Sequence, residues 1–273
     1  MDPLAVLRSR GYLGLLVLAA ILGVPISAAA YFFLQLVAHL QRWVFTDLPQ
    51  AIGLGEPVWW PLLPLALAGL LVGLTVRHLP GRGGPSPADG FHGHGAPAAS
   101  ELPGLLLAAL ATLALGAVLG PEGPLIALGA GLSAWAARLL RRDMPAQAVA
   151  IIGATGSFAA VATLLGSPLL GAFLLMEASG LAGATASLVL VPGLLAAGIG
   201  ALIFVGLDAA TGLGSVSLAI PGLPSFARPD VAEFGWALVI GVSAALLGSG
   251  IRWLAQTLRT LSLIHISEPT RRS

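Results

Sequence analysis

The sequence contains no cysteine and no lysine, and only 9% of its residues are charged. Without cysteine there can be no disulfide, no thiolate metal site and no cysteine nucleophile. Ordinary soluble domains carry about a quarter of their residues as charged side chains. This chain of 273 residues is 57% hydrophobic, with a mean hydropathy of +0.93, so it has too few charged groups to cover a water-exposed surface. The composition predicts an all-α, polytopic membrane protein. A formal net charge of +1 and the lack of a basic patch or base-stacking motif exclude nucleic acid as a partner. All basic side chains other than histidine are arginine, which fits a GC-rich coding bias and says nothing about mechanism. An intramembrane hydrolase needs a nucleophile with a base in reach, yet there is no G-x-S-G motif and no histidine within 102–205. No cofactor is expected.

The apolar runs set out the helices. Residues 1–10 carry Arg8 and Arg10 and fall on the cytoplasmic side by the positive-inside rule. Residues 12–44 predict one long helix, bent near Pro25 and tilted, because about 20 residues suffice to cross. The first apolar run is too long for a cleavable leader. Trp59 and Trp60 are expected as interfacial anchors before a second span at 61–76. Further spans are expected at 102–119, 125–140, 144–165, 181–205 and 234–258, with Gly166-Ser167-Pro168 interrupting before a short run to Glu177. Arg138, Arg141 and Arg142 mark another cytoplasmic turn. Gly116 and Gly120 form a small-xxx-small pair suited to close helix approach. His92 and His94 lack companion ligands, so no metal site is expected. A faint echo relates Gly23-Val24, Leu36 and Leu40 to Gly241-Val242, Leu254 and Leu258, which is the pattern of repeated transporter halves.

The most informative stretch is Gly120-Pro121-Glu122-Gly123-Pro124. Glu122 is the one charged residue between Glu101 and Arg138, and an ionisable group isolated in membrane-length apolar sequence is read first as functional. The glycines permit a sharp turn, and Pro124 suits the first position of a helix over 125–137. The break thus points a helix N-terminus into the membrane. Such an end presents free N–H groups and a partial positive charge, which hold an anion, or the carboxylate of Glu122 itself. The candidate anion-binding residues are Gly120, Pro121, Gly123, Pro124 and Leu125, a site that Glu122 can also occupy itself. Two further candidates are less defined. Ser86, within Gly83-Gly84-Pro85-Ser86-Pro87, either offers a hydroxyl to the anion from a second backbone break or lies in a surface loop. Glu177, the one charge between Asp143 and Asp208, is either an internal acidic site or a helix-end residue.

These residues resemble the CLC family of chloride channels and proton/chloride antiporters. Residues 120–124 are similar to that family's G-[RK]-E-G-P motif, and Gly-Ser-Pro-Leu-Leu-Gly at 166–171, running on to Glu177, is similar to its N-A-P-L-[AS]-G segment. The resemblance implies the first repeat of an inverted-repeat fold with tilted and broken helices, and a helix whose N-terminus faces the anion. It further implies a glutamate gate at Glu122, chloride or a similar small anion as cargo, and a lipid-embedded homodimer packed through 181–205. The expected location is the cell membrane, of the bacterial inner-membrane type. The chain departs from the family pattern at three places. Pro121 stands where the family has a basic residue; Gly84 takes the serine position of the family's G-S-G-I-P motif; and Ala178 stands where proton-coupled members carry a second glutamate. Ala178 leans the expectation toward a channel, with an antiporter and a non-conducting fragment as the alternatives. Residues 1–260 are expected to form the CLC-like domain. Residues 261–273 match the translation of a sequencing adapter and are not expected to be native.

Overall fold

The computed structural model describes residues 10–55, 57–81, 96–117, 119–162, 164–165, 167–179, 183–214, 216 and 230–267. Among these the regular structure is entirely helical: α1 (Arg10–Arg42), a π-helical segment (Trp43–Asp47), α2 (Leu48–Ala51), α3 (Leu62–His78), α4 (Leu102–Ala114), α5 (Glu122–Leu140), α6 (Ala146–Ala160), α7 (Pro168–Ser179), α8 (Gly183–Thr211) and α9 (Val231–Ser267). The chain divides into two units, one formed by Met1–Gly84 with Phe91–Ala219, the other by Pro85–Gly90 with Ile220–Ser273. In the second, α9 opens with a capping box: Asp230 Oδ1 accepts the Ala232 N–H at 2.8 Å while Glu233 Oε2 accepts the Asp230 N–H at 2.8 Å. The helix runs on past Thr260 to Ser267.

Among the described residues, four stretches are long and apolar enough to cross a membrane: Gly11–Ala51, Glu122–Leu140, Leu188–Thr211 and Val231–Leu258. Helices α3, α4 and α6 are apolar but only 17, 13 and 15 residues long. At about 1.5 Å per residue they reach roughly 20–26 Å, short of a hydrocarbon core of about 30 Å. Their ends therefore fall where every freed backbone group needs a partner. The chain is a multi-pass membrane protein with broken helices, as its composition predicts.

Helix α1 runs on further than the sequence suggests, through a π segment. The Leu48 N–H bonds to Trp43 O, the i to i+5 spacing that defines such a turn. The next carbonyl in that register, Val44 O, would need the N–H of residue 49, which is a proline. The indole of Trp60 supplies the missing donor at 2.9 Å. Trp60 is buried, so it clamps a broken register, while half-exposed Trp59 remains available as an anchor.

The core of the first unit joins α1, α5, α6, α7 and α8, with Tyr31, Leu125, Leu164 and Phe204 among its fully buried side chains. Tyr31 meets Phe204 edge-on at 5.6 Å and shares a 2.7 Å hydrogen bond between its hydroxyl and that of Thr211. One turn further along α1, Gln35 donates to Gly214 O, so the two residues hold the C-terminal end of α8. Ser27, also on α1, donates to Ala159 O at 3.1 Å and satisfies a carbonyl that the end of α6 leaves free.

Helices α5 and α6 make the closest approach in this core. A Cβ added to Gly129 would meet the Gly156 carbonyl oxygen, with the carbonyl carbon at 2.6 Å. A Cβ on Gly156 would meet Gly129 O and the Ser133 hydroxyl, with Ser133 Cβ at 2.8 Å. Lipid provides no hydrophobic drive for helix association, so van der Waals packing between small residues must supply it. Gly156→Ala is accordingly expected to destabilise the protein by about 1–3 kcal/mol through overpacking. Gly73→Ala, where a Cβ meets nothing within 4 Å, serves as the control and is expected to leave stability unchanged or slightly raised. Thermal unfolding of the two variants in detergent checks this, and equal melting temperatures would contradict it.

Candidate functional site

The break begins where α4 stops. Its last turn closes with Ala117 N–H on Thr112 O at 3.0 Å and Gly116 N–H on Leu113 O at 3.4 Å, a Schellman motif with Gly116 as the left-handed residue (φ +89°). The Phe45 ring covers Gly116 so closely that a Cβ there would lie 2.6 Å from it. Gln41 Nε2 donates to Leu113 O at 2.8 Å. Helix α4 thus ends at Ala114 rather than near Leu119. Gly116 and Gly120 both lie outside helices, so the small-xxx-small reading of this pair is corrected: Gly116 is a helix stop, and Gly129 with Gly156 makes the close helix contact.

After the break, α5 starts at Glu122 with Pro121 as its N-cap. The sequence reading placed Pro124 at the first helical position, but the helix begins two residues earlier. The Leu125 N–H bonds to Pro121 O at 3.0 Å, and its side chain is fully buried. Pro121 and Pro124 have no N–H to offer. The first turn of α5 therefore presents two free backbone donors, those of Glu122 and Gly123. They sit at the positive end of the helix dipole, a setting that favours negative charge.

The half-buried Glu122 side chain folds back ahead of this end. Its carboxylate lies against Gly120, taking up the place a Cβ would occupy, with Cδ at 2.6 Å and Oε1 at 2.8 Å from that point. Among the described residues the carboxylate accepts no hydrogen bond and pairs with no cation, so its position is set by fit alone. Gly120 is exposed and matters for the space it leaves rather than for an unusual φ.

The first turns of α5 are anchored from α6, where Ser157 Oγ donates to Ile126 O at 3.0 Å. This anchor, Phe45, Gln41 and Trp60 were not singled out as site-supporting residues in the sequence. The glycine spacing on α5 and α6 was the one signal that could have pointed to part of it. Pro168 opens α7, and Glu177 lies in that helix's last turn. Ser86, His92 and His94 lie outside the described residues, and among the described ones there is no cluster of three metal-binding side chains.

Gly120→Ala is expected to dislodge the Glu122 carboxylate, since a flexible side chain yields before the backbone does. Carbodiimide labelling of Glu122, followed by mass spectrometry, should be several-fold faster in the variant than in the native chain. Equal labelling would show that the carboxylate does not rest on Gly120.

A solved X-ray structure of a slow cyanobacterial Cl−/H+ antiporter superposes with a TM-score of 0.63 at 20% identity, over 86% of this chain and 54% of that one, which shows a shared fold. Curated relatives are 33% identical over 172 residues, among them the provisionally named ion-transport protein YfeO of Salmonella paratyphi A and of Salmonella newport. The match covers 62% of this chain and 41% of each relative, so the chain spans about two fifths of their length. The family model described as voltage gated chloride channel matches residues 64–269. With three quarters of its length under that match, the chain belongs to the voltage gated chloride channel (CLC) family.

Proposed function

We propose that the full-length protein carries chloride or similar small anions across the membrane, with Glu122 as the gate. Members of this family are channels and transporters, not enzymes. The observation that carries the reading is the Glu122 carboxylate folded onto Gly120 just before α5, adjacent in the chain to the free N–H groups of Glu122 and Gly123 at the start of that helix. Backbone donors hold an anion by partial charges, weakly enough to let it leave again. An ionised Glu122 stands in for the anion and closes the path. Once protonated, it loses the charge that competes for the backbone donors and swings away. Pro121, in the place of a basic residue, leaves the mouth without a fixed cation beside these donors. Within this reading the protein works as a homodimer with one pathway per subunit, packed through the helices near 181–205.

Flux should rise as external pH falls in the native protein, because acid neutralises the gate. Glu122→Gln removes the titrating group, so anion flux into liposomes should no longer depend on external pH. The measurement requires a chain completed to the length of its relatives. A variant that kept the native pH dependence would remove Glu122 from the gating role.

Two features bear on whether transport is channel-like or coupled to protons. The solved neighbour is described as a Cl−/H+ antiporter, and Glu177 in the last turn of α7 is a carboxylate in the region where the family carries its acidic helix end. Ala178 follows it where a second glutamate would stand in proton-coupled members, which favours a channel or a loosely coupled carrier. A chloride gradient imposed on proteoliposomes should therefore drive little proton movement. Stoichiometric proton uptake would establish the antiporter instead. A completed chain that moved no chloride at all would favour the non-conducting reading.

A further inference from the structure

The C-terminal end of α5 carries a surface that the transport reading leaves unused. Most of this helix is sheathed by its neighbours: Leu125, Leu128, Ala130, Ser133, Ala134 and Ala137 are all buried. A fully open face begins only at Trp135, which is 50% exposed, and continues through Arg138 and Leu139 at the i+3 and i+4 positions. Arg141 and Arg142 follow directly, both exposed, in the short connection to α6. Asp143 is the neighbouring carboxylate, yet among the described residues none of these three guanidinium groups is paired with it or with any other acid.

Three unpaired guanidinium groups, an indole and two exposed leucines (Leu139 and Leu140) thus share the end of one membrane-crossing helix. Tryptophan settles at the headgroup level of a bilayer, and arginine extends its stem along apolar surface while its head stays in the polar layer. The guanidinium fork matches a phosphate in two-point hydrogen bonding. A zwitterionic headgroup brings its own cation close to the arginines, whereas an anionic one does not. We propose that this surface binds the headgroup of an anionic phospholipid, with Arg138, Arg141 and Arg142 on the phosphate and Trp135 and Leu139 against the lipid body. The proposal stands apart from the Glu122 reading and does not depend on it.

Thermal unfolding of the purified chain in uncharged detergent tests it, with added phosphatidylglycerol, phosphatidylcholine of the same acyl chains, or inorganic phosphate. Phosphatidylglycerol is expected to raise the melting temperature more than phosphatidylcholine, and phosphate alone is expected to leave it unchanged. The Arg138→Gln, Arg141→Gln, Arg142→Gln triple variant should lose the excess shift. The corresponding triple lysine variant keeps the charge and should retain at least half of it. Equal shifts with the two lipids, an unchanged excess in the glutamine variant, or its loss in both triple variants would overturn the proposal. So would a shift produced by phosphate alone, which would assign the arginines to a soluble anion.

Discussion

The approach of α5 to α6 at Gly129 and Gly156 governs the rest of the structure. The two backbones meet with no side chain between them, close enough that either added Cβ would overlap a carbonyl. That contact lets Ser157 reach Ile126 O and fixes the direction in which the first turn of α5 points. It also has a local cost. The Ser133 hydroxyl is buried against Gly156 and finds no hydrogen-bond partner among the described residues, a loss of about 1–3 kcal/mol that the surrounding packing must outweigh.

A second set of contacts holds the other side of the break. The proline at 49 leaves Val44 O without a backbone donor, Trp60 fills the gap, and the resulting π segment carries Phe45 onto Gly116. Gln41 and the Schellman motif then stop α4 at Ala114, so a new helix starts at Glu122. Between these two anchored ends, Glu122 itself is held by no hydrogen bond among the described residues. A fixed frame around a carboxylate free of hydrogen bonds is the arrangement that the proposed gating by Glu122 would need, since the moving part must change position without the helices giving way.

The helical class, four of the seven expected spans and the isolated position of Glu122 were legible in the sequence, because they follow from composition and from charge isolated in apolar sequence; the runs at 61–76, 102–119 and 144–165 form helices too short to cross. The ends of the helices were not. Leu115 to Leu119 is as apolar as the helix before it, and nothing local says that Gly116 takes a left-handed conformation. Pro124 is as acceptable in the first turn of a helix as at its first residue, so sequence alone placed the start of α5 two residues late. The π segment depends on a tertiary partner, Trp60, that lies well outside any local window. The small-residue spacing was visible but ambiguous: Gly116/Gly120 and Gly129/Ser133 have the same form, and only the second pair lies on a helix. Of the backbone groups the sequence offered to an anion, only the N–H groups of Glu122 and Gly123 are free in the first turn of α5, because Leu125 bonds within the helix and both prolines lack an N–H.

The proposal turns on whether the first turn of α5 seats an anion beside the Glu122 carboxylate. Bromide scatters anomalously and substitutes for chloride, so crystals of Glu122→Gln grown in bromide locate the ion directly. The account predicts an anomalous peak within hydrogen-bonding distance of the backbone nitrogens of residues 122 and 123. Bromide bound elsewhere in the protein, with none at the N-terminus of α5, would contradict it.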